Sequence, residues 1–429
     1  MAMLPTNHPL RSELNDEVHA RPSDSLRAPL RISYLALLSP PTARQDEWQH
    51  VIELVGRYGK QPPEDASGHF SIDLGPFSLR WERHTEFTRY TVTVEGAFDD
   101  PFAVTALDAV PGDWVSAIKG EVMVASHGAM LEAANTAPGY EEIAARYFDG
   151  NVLVGSRVGD GAATALTDFR VRADGFSRFL IMDRHLTPRQ AGRLVQRILE
   201  IDTYRMMALL ALPVARQLTP LLASYERELS QVTTVLESAN EADEASLLDR
   251  LTRLEAHIES GEAESHYRFS AATAYYELVK RRIAEFREIR IPALQTFGDF
   301  TERRLAPAMN TCRAVSARQE SLSQRVARAN QLLATRVDIT RERQNQALLE
   351  SMNRRAKAQF KLQQTVEGLS IAAITYYVVG LIGYVAKGIK AVGVNVDYEI
   401  VQAVSIPVVF ILIAFGIHHV REAVVRNVK

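Results

Sequence analysis

"LSIAAITYYVVGLIGYV", residues 369–385, runs without a charged side chain, and about 20 apolar residues in a helix cross a hydrocarbon layer of about 30 Å. A second run, "IVQAVSIPVVFILIAFGI", residues 400–417, is interrupted only by Gln402 and Ser405. Between them lies the short polar stretch "GIKAVGVNVDYE", residues 388–399. The pair predicts two transmembrane helices, about 369–387 and 400–418, joined by a short loop. Tyr384 and Tyr398 suit the interfacial belt, Gly380 and Gly383 permit close helix approach, and Pro407 is tolerated where neighbouring helices satisfy the freed carbonyl.

Basic residues set the orientation. Arg354, Arg355, Lys357 and Lys361 precede the first run, and Arg421, Arg426 and Lys429 form a basic tail after the second. The loop holds Lys387 and Lys390 beside Asp397 and Glu399. The positive-inside rule therefore predicts a multi-pass protein with both termini in the cytoplasm and the loop outside. The amino-terminal "MAMLPTNHPLRSELNDE" has no apolar core of a signal peptide. Everything ahead of Leu369 is expected on the cytoplasmic side.

The chain of 429 residues is too long for one core. A formal charge of -3 and a pI near 6.4 give no reason to expect a nucleic-acid partner. Cys312 is the single cysteine, so no intrachain disulfide forms, and its context "NTCRAVSARQ" reads as a packed thiol.

Upstream of the spans, residues 188–368 read as a long helical, coiled-coil-like stalk. Breaks are expected at Pro213 and Pro220, at the acidic turn "ANEADEAS", and at Pro292 and Pro307. Residues 308–364 contain no proline. If this helix continues through the first span, it extends on the order of 120 Å at 1.5 Å per residue. Leu322, Val326, Ala329, Leu333 and Val337 step by three and four, and Thr340 and Gln344 continue the seam with polar groups. Basic residues dominate from Arg303 to Lys361, whereas "ERELSQVTTVLESANEADEASLLDRLTRLEAHIESGEAES" just before is acid-rich. Acidic helices folded back on a basic one would neutralise it, within one chain or between copies, and set its register.

Residues 1–187 read as an α/β head. "LRISYLALLS" is expected as a buried strand and "ARQDEWQHVIELVGRYG" as an amphipathic helix. Strands follow in "HFSIDLGPFSLRWERHTEFTRYTVTVEG", with turns at Gly75-Pro76 and near His84 to Thr88. Further strand signals are "DWVSAIKGEVMVAS", "NVLVGSRV", "ALTDFRVRA" and "SRFLIMD". The fold class is α+β: head, stalk and two-helix hairpin.

Chemical motifs are sparse. Glu82, His84 and Glu86 would share a face of an extended strand, as zinc or manganese ligands do, but the turn expected at His84 breaks that face. His8, Asp16, Glu17 and His19 in "HPLRSELNDEVHARP" could form a polar site or a subunit contact. "VGSRVGDGAA" lacks the lysine and helix start of a P-loop. Without a metalloprotease, nucleophile-elbow or kinase signature, no catalytic residue, cofactor or resident metal is expected, and the protein is read as no enzyme.

"HPLRSELNDEVHARP", "RWERHTEFTRYTVTV", "EIDTYRMMALLALPVAR" and "LQQTVEGLSIAAITYYVVGLIGYV" resemble the DUF3422 family of uncharacterised bacterial membrane-anchored proteins, over nearly the whole chain. That resemblance implies a bacterial inner membrane. The order of head, folded-back acidic helices, long stalk, short outer loop and basic tail is similar to the CorA magnesium channels, which are pentamers. There, Gly393, Val394 and Asn395 would take the place of the ion-entrance Gly-Met-Asn, with Val394 where that family has methionine. Thr375 and Tyr376 would line the pore, and a divalent cation such as Mg²⁺ would be the ion. Two functions follow as expectations: a homo-oligomeric membrane-anchored scaffold or regulator presenting its head to a cytoplasmic protein partner, or a CorA-like cation channel.

Overall fold

Residues 30–38 are apolar or small at nearly every position, and they form β1 (Leu30–Leu38), buried along most of its length. Such a strand needs cover on both faces. The computed structural model describes residues 7–12, 14–15, 23–62, 68–133, 139–238, 240–391, 393 and 397–426. After β1 come α1 (Arg44–Arg57), β2 (His69–Asp73), β3 (Ser78–Arg83), β4 (Phe87–Glu95) and α2 (Gly112–Ser116). Next are β5 (Glu121–Glu132), α3 (Tyr140–Tyr147), β6 (Val154–Val158), β7 (Ala163–Thr167) and β8 (Ser177–Asp183). The remainder is α4 (Pro188–Leu209), α5 (Ala211–Ser238), α6 (Glu241–Phe286), β9 (Ile289–Arg290), α7 (Phe297–Arg304), α8 (Ala306–Ala391) and α9 (Tyr398–Arg426). The fold is mixed α+β with a long helix and a C-terminal helix.

The described residues form two compact units, Met1–Ser238 with Asp249–Asn330, and Ala239–Leu248 with Gln331–Lys429. In the first, nine strands form one sheet in the order β2-β3-β4-β1-β5-β8-β7-β6-β9. Only β5 and β8 pair in parallel. On one face α1 and α2 cover a core of Leu35, Leu54, Phe77, Trp81, Tyr90 and Trp114, and Ile143, Phe148 and Leu180 form a second cluster beside it. The other face takes α4, whose start is fixed by a Thr187/Gln190 capping box and by Pro188 in the first turn. There Tyr34 hydrogen-bonds Thr203 at 2.7 Å.

Two strand expectations change. The first half of "DWVSAIKGEVMVAS" is helical, and its indole explains the choice: Trp114 donates to the His50 carbonyl at 2.8 Å and stacks on the His50 ring. In "ALTDFRVRA" the strand stops at Thr167 because Asp168 accepts from the Arg170 amide and Phe169 takes a positive φ of 52°. The helix breaks at Leu210, with Pro213 in the first turn of α5, as expected, but α5 runs on through Pro220. Arg216, whose carbonyl Pro220 leaves without a donor, is exposed, so water can supply one.

Further along this unit, α5, α6 and the start of α8 pack through Leu222, Leu229, Leu254, Ile258, Leu322 and Val326, all buried. Acidic and basic helices meet as the charge pattern predicts. Arg318 binds Glu226 through two bonds of 2.8 and 2.6 Å, and Asn330 donates to Glu255 at 2.5 Å.

The second unit holds the rest of α8, all of α9 and the first turns of α6. Leu247, Leu333 and Val337 are buried, and Arg336 pairs with Glu244 at 2.5 Å. From 341 to 366 every residue of α8 is exposed. Residues 388–391, expected in the loop, are helical, and α8 ends at Ala391.

Candidate functional site

Strand register in the head gathers charge under α4. Glu82 and Arg89 are partners across β3 and β4. Glu82 accepts from Arg89 Nε at 2.5 Å and from Arg80 at 3.0 Å. Arg89 lies 3.6 Å from Glu200 of α4, which Arg282 of α6 also binds. Burial works to raise the Glu82 carboxyl, but the Arg89 and Arg80 guanidinium groups outweigh it and hold the carboxyl well below the usual carboxylate range. Each charge has an opposite partner, and the cavity beside them is only about 30 Å³. The network is a brace between sheet and helices. An adjoining groove of about 260 Å³ is floored by Ser71, Ser78, Thr91 and Thr93, with Asp24 bound to Arg80 at 3.1 Å.

A second polar pair is internal. Ser33 and His127 face each other across β1 and β5, with Oγ and Nδ1 2.9 Å apart. Ser33 Oγ also accepts from the Leu107 amide at 2.9 Å, and the imidazole tautomer sets which of Ser33 and His127 donates to the other. The imidazole stacks on Phe176 at 3.9 Å, and burial pulls its pKa down to about 4. Neither group meets solvent, so a Ser–His arrangement is present without access for a substrate.

Glu82, His84 and Glu86 do not converge. Glu82 points into the brace, His84 stacks on Phe87, and Glu86 is held by Arg268 and by the Tyr275 hydroxyl at 2.8 Å. The hairpin tip is thus docked on α6. Among the described residues no three His, Cys, Asp or Glu side chains are placed to hold a metal ion. His8 is exposed and accepts from the Leu10 amide at 3.2 Å; Asp16, Glu17 and His19 lie outside the described residues. Cys312 is buried, and burial pushes its thiol up.

At the hairpin, α8 and α9 close on small residues. A Cβ at Gly383 would come 3.1 Å from the Gln402 amide carbon. Thr375 is buried and donates to the Ile371 carbonyl at 2.7 Å, whereas Tyr376 is 77% exposed. Both border a cleft of about 840 Å³ that Tyr377, Tyr384, Lys387 and Gln402 also line. At the turn, the Lys387 and Lys390 ammonium groups sit 5.0 and 5.4 Å from the centre of the Tyr398 ring. Gly393 has a left-handed φ of 92°; Val394 and Asn395 lie outside the described residues.

The brace and the lysine–tyrosine clasp were both missed by motif reading. The signal for the brace was available in "LRWERHTEFTRY": Arg80, Glu82 and Arg89 alternate onto one strand face, which a surface strand does not require.

Three helical stretches are long and apolar enough to cross a membrane: Pro188–Ser238, Phe297–Ala391 and Tyr398–His419. The first was not expected. The pattern of a family described as "Protein of unknown function (DUF3422)" matches residues 6–424. No curated protein and no solved structure gives a match. The likeness to the CorA channels therefore rests on element order alone.

Proposed function

The chain belongs to the DUF3422 family, and for it we propose a membrane-anchored scaffold or regulator without catalytic activity, held in the bilayer by α8 and α9 and presenting its head to a cytoplasmic protein partner. The observation that carries this is exposed apolar surface. The apolar window of α9 reaches a mean hydropathy of 2.6 with 11% of it buried, and that of α8 1.8 with 22% buried. Ile400, Val404, Ile406, Val408, Ile411 and Leu412 are all exposed. At about 1 to 2 kcal/mol for each half-exposed large side chain, leaving α9 alone in water costs on the order of 10 kcal/mol. That rivals the whole stability of a domain, so lipid is the cover that fits. The stretch Pro188–Ser238 is assigned to the head, because α4 is tied to the sheet by Tyr34 with Thr203 and by Ser126 with Asp202.

In this reading both helix ends bearing arginine face the cytoplasm and the clasp at Tyr398 faces outward, in a bacterial inner membrane. The full chain is expected to stay with the membrane through alkaline carbonate extraction, with the head degraded only when protease reaches the cytoplasmic side. Release of the full chain by carbonate refutes it.

The second reading is a CorA-like divalent-cation conduit. The cleft that Thr375 and Gln402 both line favours it. The two ammonium groups at its mouth oppose a cation, and Thr375 spends its proton on the backbone. Mg²⁺ flux into proteoliposomes that survives neither Gln402→Leu nor Thr375→Val would support the conduit; absence of flux with the native protein would end it.

A further inference from the structure

Between α8 and α9 the second unit keeps a space with more shape and polarity than an anchor requires. The cleft of about 840 Å³ falls in the range of about 300 to 1,000 Å³ that holds small ligands. From α8 it is lined by Ala372, Tyr376, Gly380, Tyr384 and Lys387, whose steps of four, four, four and three form one stripe of that helix. From α9 it is lined by Gln402, Ile406 and Phe410, again at steps of four. Gly380 makes the room. A Cβ there would meet no described atom within 4 Å, although one turn away a Cβ at Gly383 would come 3.1 Å from Gln402, where the two helices touch.

Polarity is graded along the cleft. Gly383 beside Gln402 sets the antiparallel register, so Lys387 and Gln402 stand at the end next to the turn, and Ile406 and Phe410 follow one and two turns deeper. The hydroxyl of Thr375, at the deeper level, is spent on the Ile371 carbonyl. Lys387 is the one charged side chain among the described lining residues. Its ammonium group and that of Lys390 both sit at the Tyr398 ring, 5.0 and 5.4 Å from its centre, so two positive charges gather at this end. The nearby carboxylates do not border the cleft and are engaged at the first turn of α9. Asp397 accepts from the Glu399 amide at 3.2 Å, and Glu399 accepts from the Tyr398 hydroxyl at 3.1 Å.

We propose that this cleft holds one anionic phospholipid, with its phosphate at Lys387 and an acyl chain laid past Gly380 between α8 and α9. On the membrane-anchored reading, on which this rests, Lys387 lies at the headgroup level and the cleft runs inward from it. From Lys387 to Ala372 it extends about 22 Å at 1.5 Å per residue. That exceeds the roughly 15 Å of hydrocarbon in one leaflet, half of a core of about 30 Å, so a chain fits lengthwise. Charge selects the occupant. A zwitterionic lipid brings its own cationic group toward two lysines, whereas an anionic one presents only its phosphate to them.

Native mass spectrometry of the full chain in detergent tests this, with phosphatidylglycerol and phosphatidylcholine of equal chain length added in turn. The native chain is expected to keep one phosphatidylglycerol per copy at a concentration at least fivefold below that needed for phosphatidylcholine. Lys387→Gln, at an exposed position, should erase that preference. Gly380→Trp, which fills the cleft, should lower retention of both lipids at least fivefold. Val385→Trp adds an indole at an exposed site of α8 outside the cleft and should change neither. Equal retention of the two lipids by the native chain, a preference that survives Lys387→Gln, or the same loss from Val385→Trp as from Gly380→Trp overturns the proposal. So does displacement of phosphatidylglycerol by inorganic phosphate, which would make the site one for the free anion. If the Gly380 variant does not fold, the lysine substitution still decides. Carbonate release of the native chain would refute the anchorage itself, whereas a chain that resists carbonate and treats both lipids alike would lose only the lipid site.

Discussion

Acid should loosen the head through His127, and the size of the effect follows from its surroundings. His127 is buried against Phe176 with Nδ1 hydrogen-bonded to Ser33 Oγ, and the charged groups that act on it are Asp174, Arg178 and Asp108. Burial dominates and lowers the pKa from the ordinary 6.5 to about 4. Because the unfolded chain binds the proton more readily, stability is complete above the unfolded pKa and falls as the pH drops from 6.5 toward 4. At pH 5 the unfolded state is favoured by about 2 kcal/mol relative to pH 7.5, and below pH 4 by about 3 kcal/mol. The three tryptophans, Trp48, Trp81 and Trp114, all belong to the head core, so their fluorescence reports on this unit alone. Urea unfolding of the full chain in detergent at pH 7.5 and at pH 5 measures the loss, and the His127→Gln variant, which keeps an uncharged hydrogen-bonding group for Ser33, supplies the reference. The native chain should lose about 2 kcal/mol more than the variant across this interval. Equal losses in the two proteins would refute the reasoning, since the imidazole would then titrate alike folded and unfolded.

Arg89→Met leaves Glu82 and Glu200 buried with one arginine each, and should cost about 3 to 5 kcal/mol in the same urea assay at pH 7.5, with a change below about 1 kcal/mol counting against the brace. Gly192→Ala places a Cβ 1.7 Å from the Asp24 carbonyl oxygen, so the segment that bonds Leu26 N to the Pro188 carbonyl must leave α4; hydrogen exchange at residues 24–28 should speed at least tenfold, and native-like protection would contradict it. Gly383→Leu meets the Gln402 side chain and should part α8 from α9, raising trypsin cleavage after Lys387 and Lys390 in detergent several-fold; native-like cleavage would contradict it.

How far sequence reached into this fold follows a physical line. Elements declared by uniform local chemistry were legible: β1 by its apolar run, α1 by its period, the β2–β3 turn by Gly75-Pro76, and the two apolar helices by length without charge. Elements decided by one side chain choosing a distant partner were not. Trp114 draws α2 into a helix by reaching across to His50, and no window around residue 112 contains that information. The same holds for chemistry. Glu82, His84 and Glu86 look like a ligand face when only spacing is considered, yet Glu82 is claimed by Arg89 across the neighbouring strand and Glu86 by Arg268 of α6. Motif logic asks what neighbouring residues could bind together; in this head, a cross-strand ion pair and a long-range one had already bound the two carboxylates.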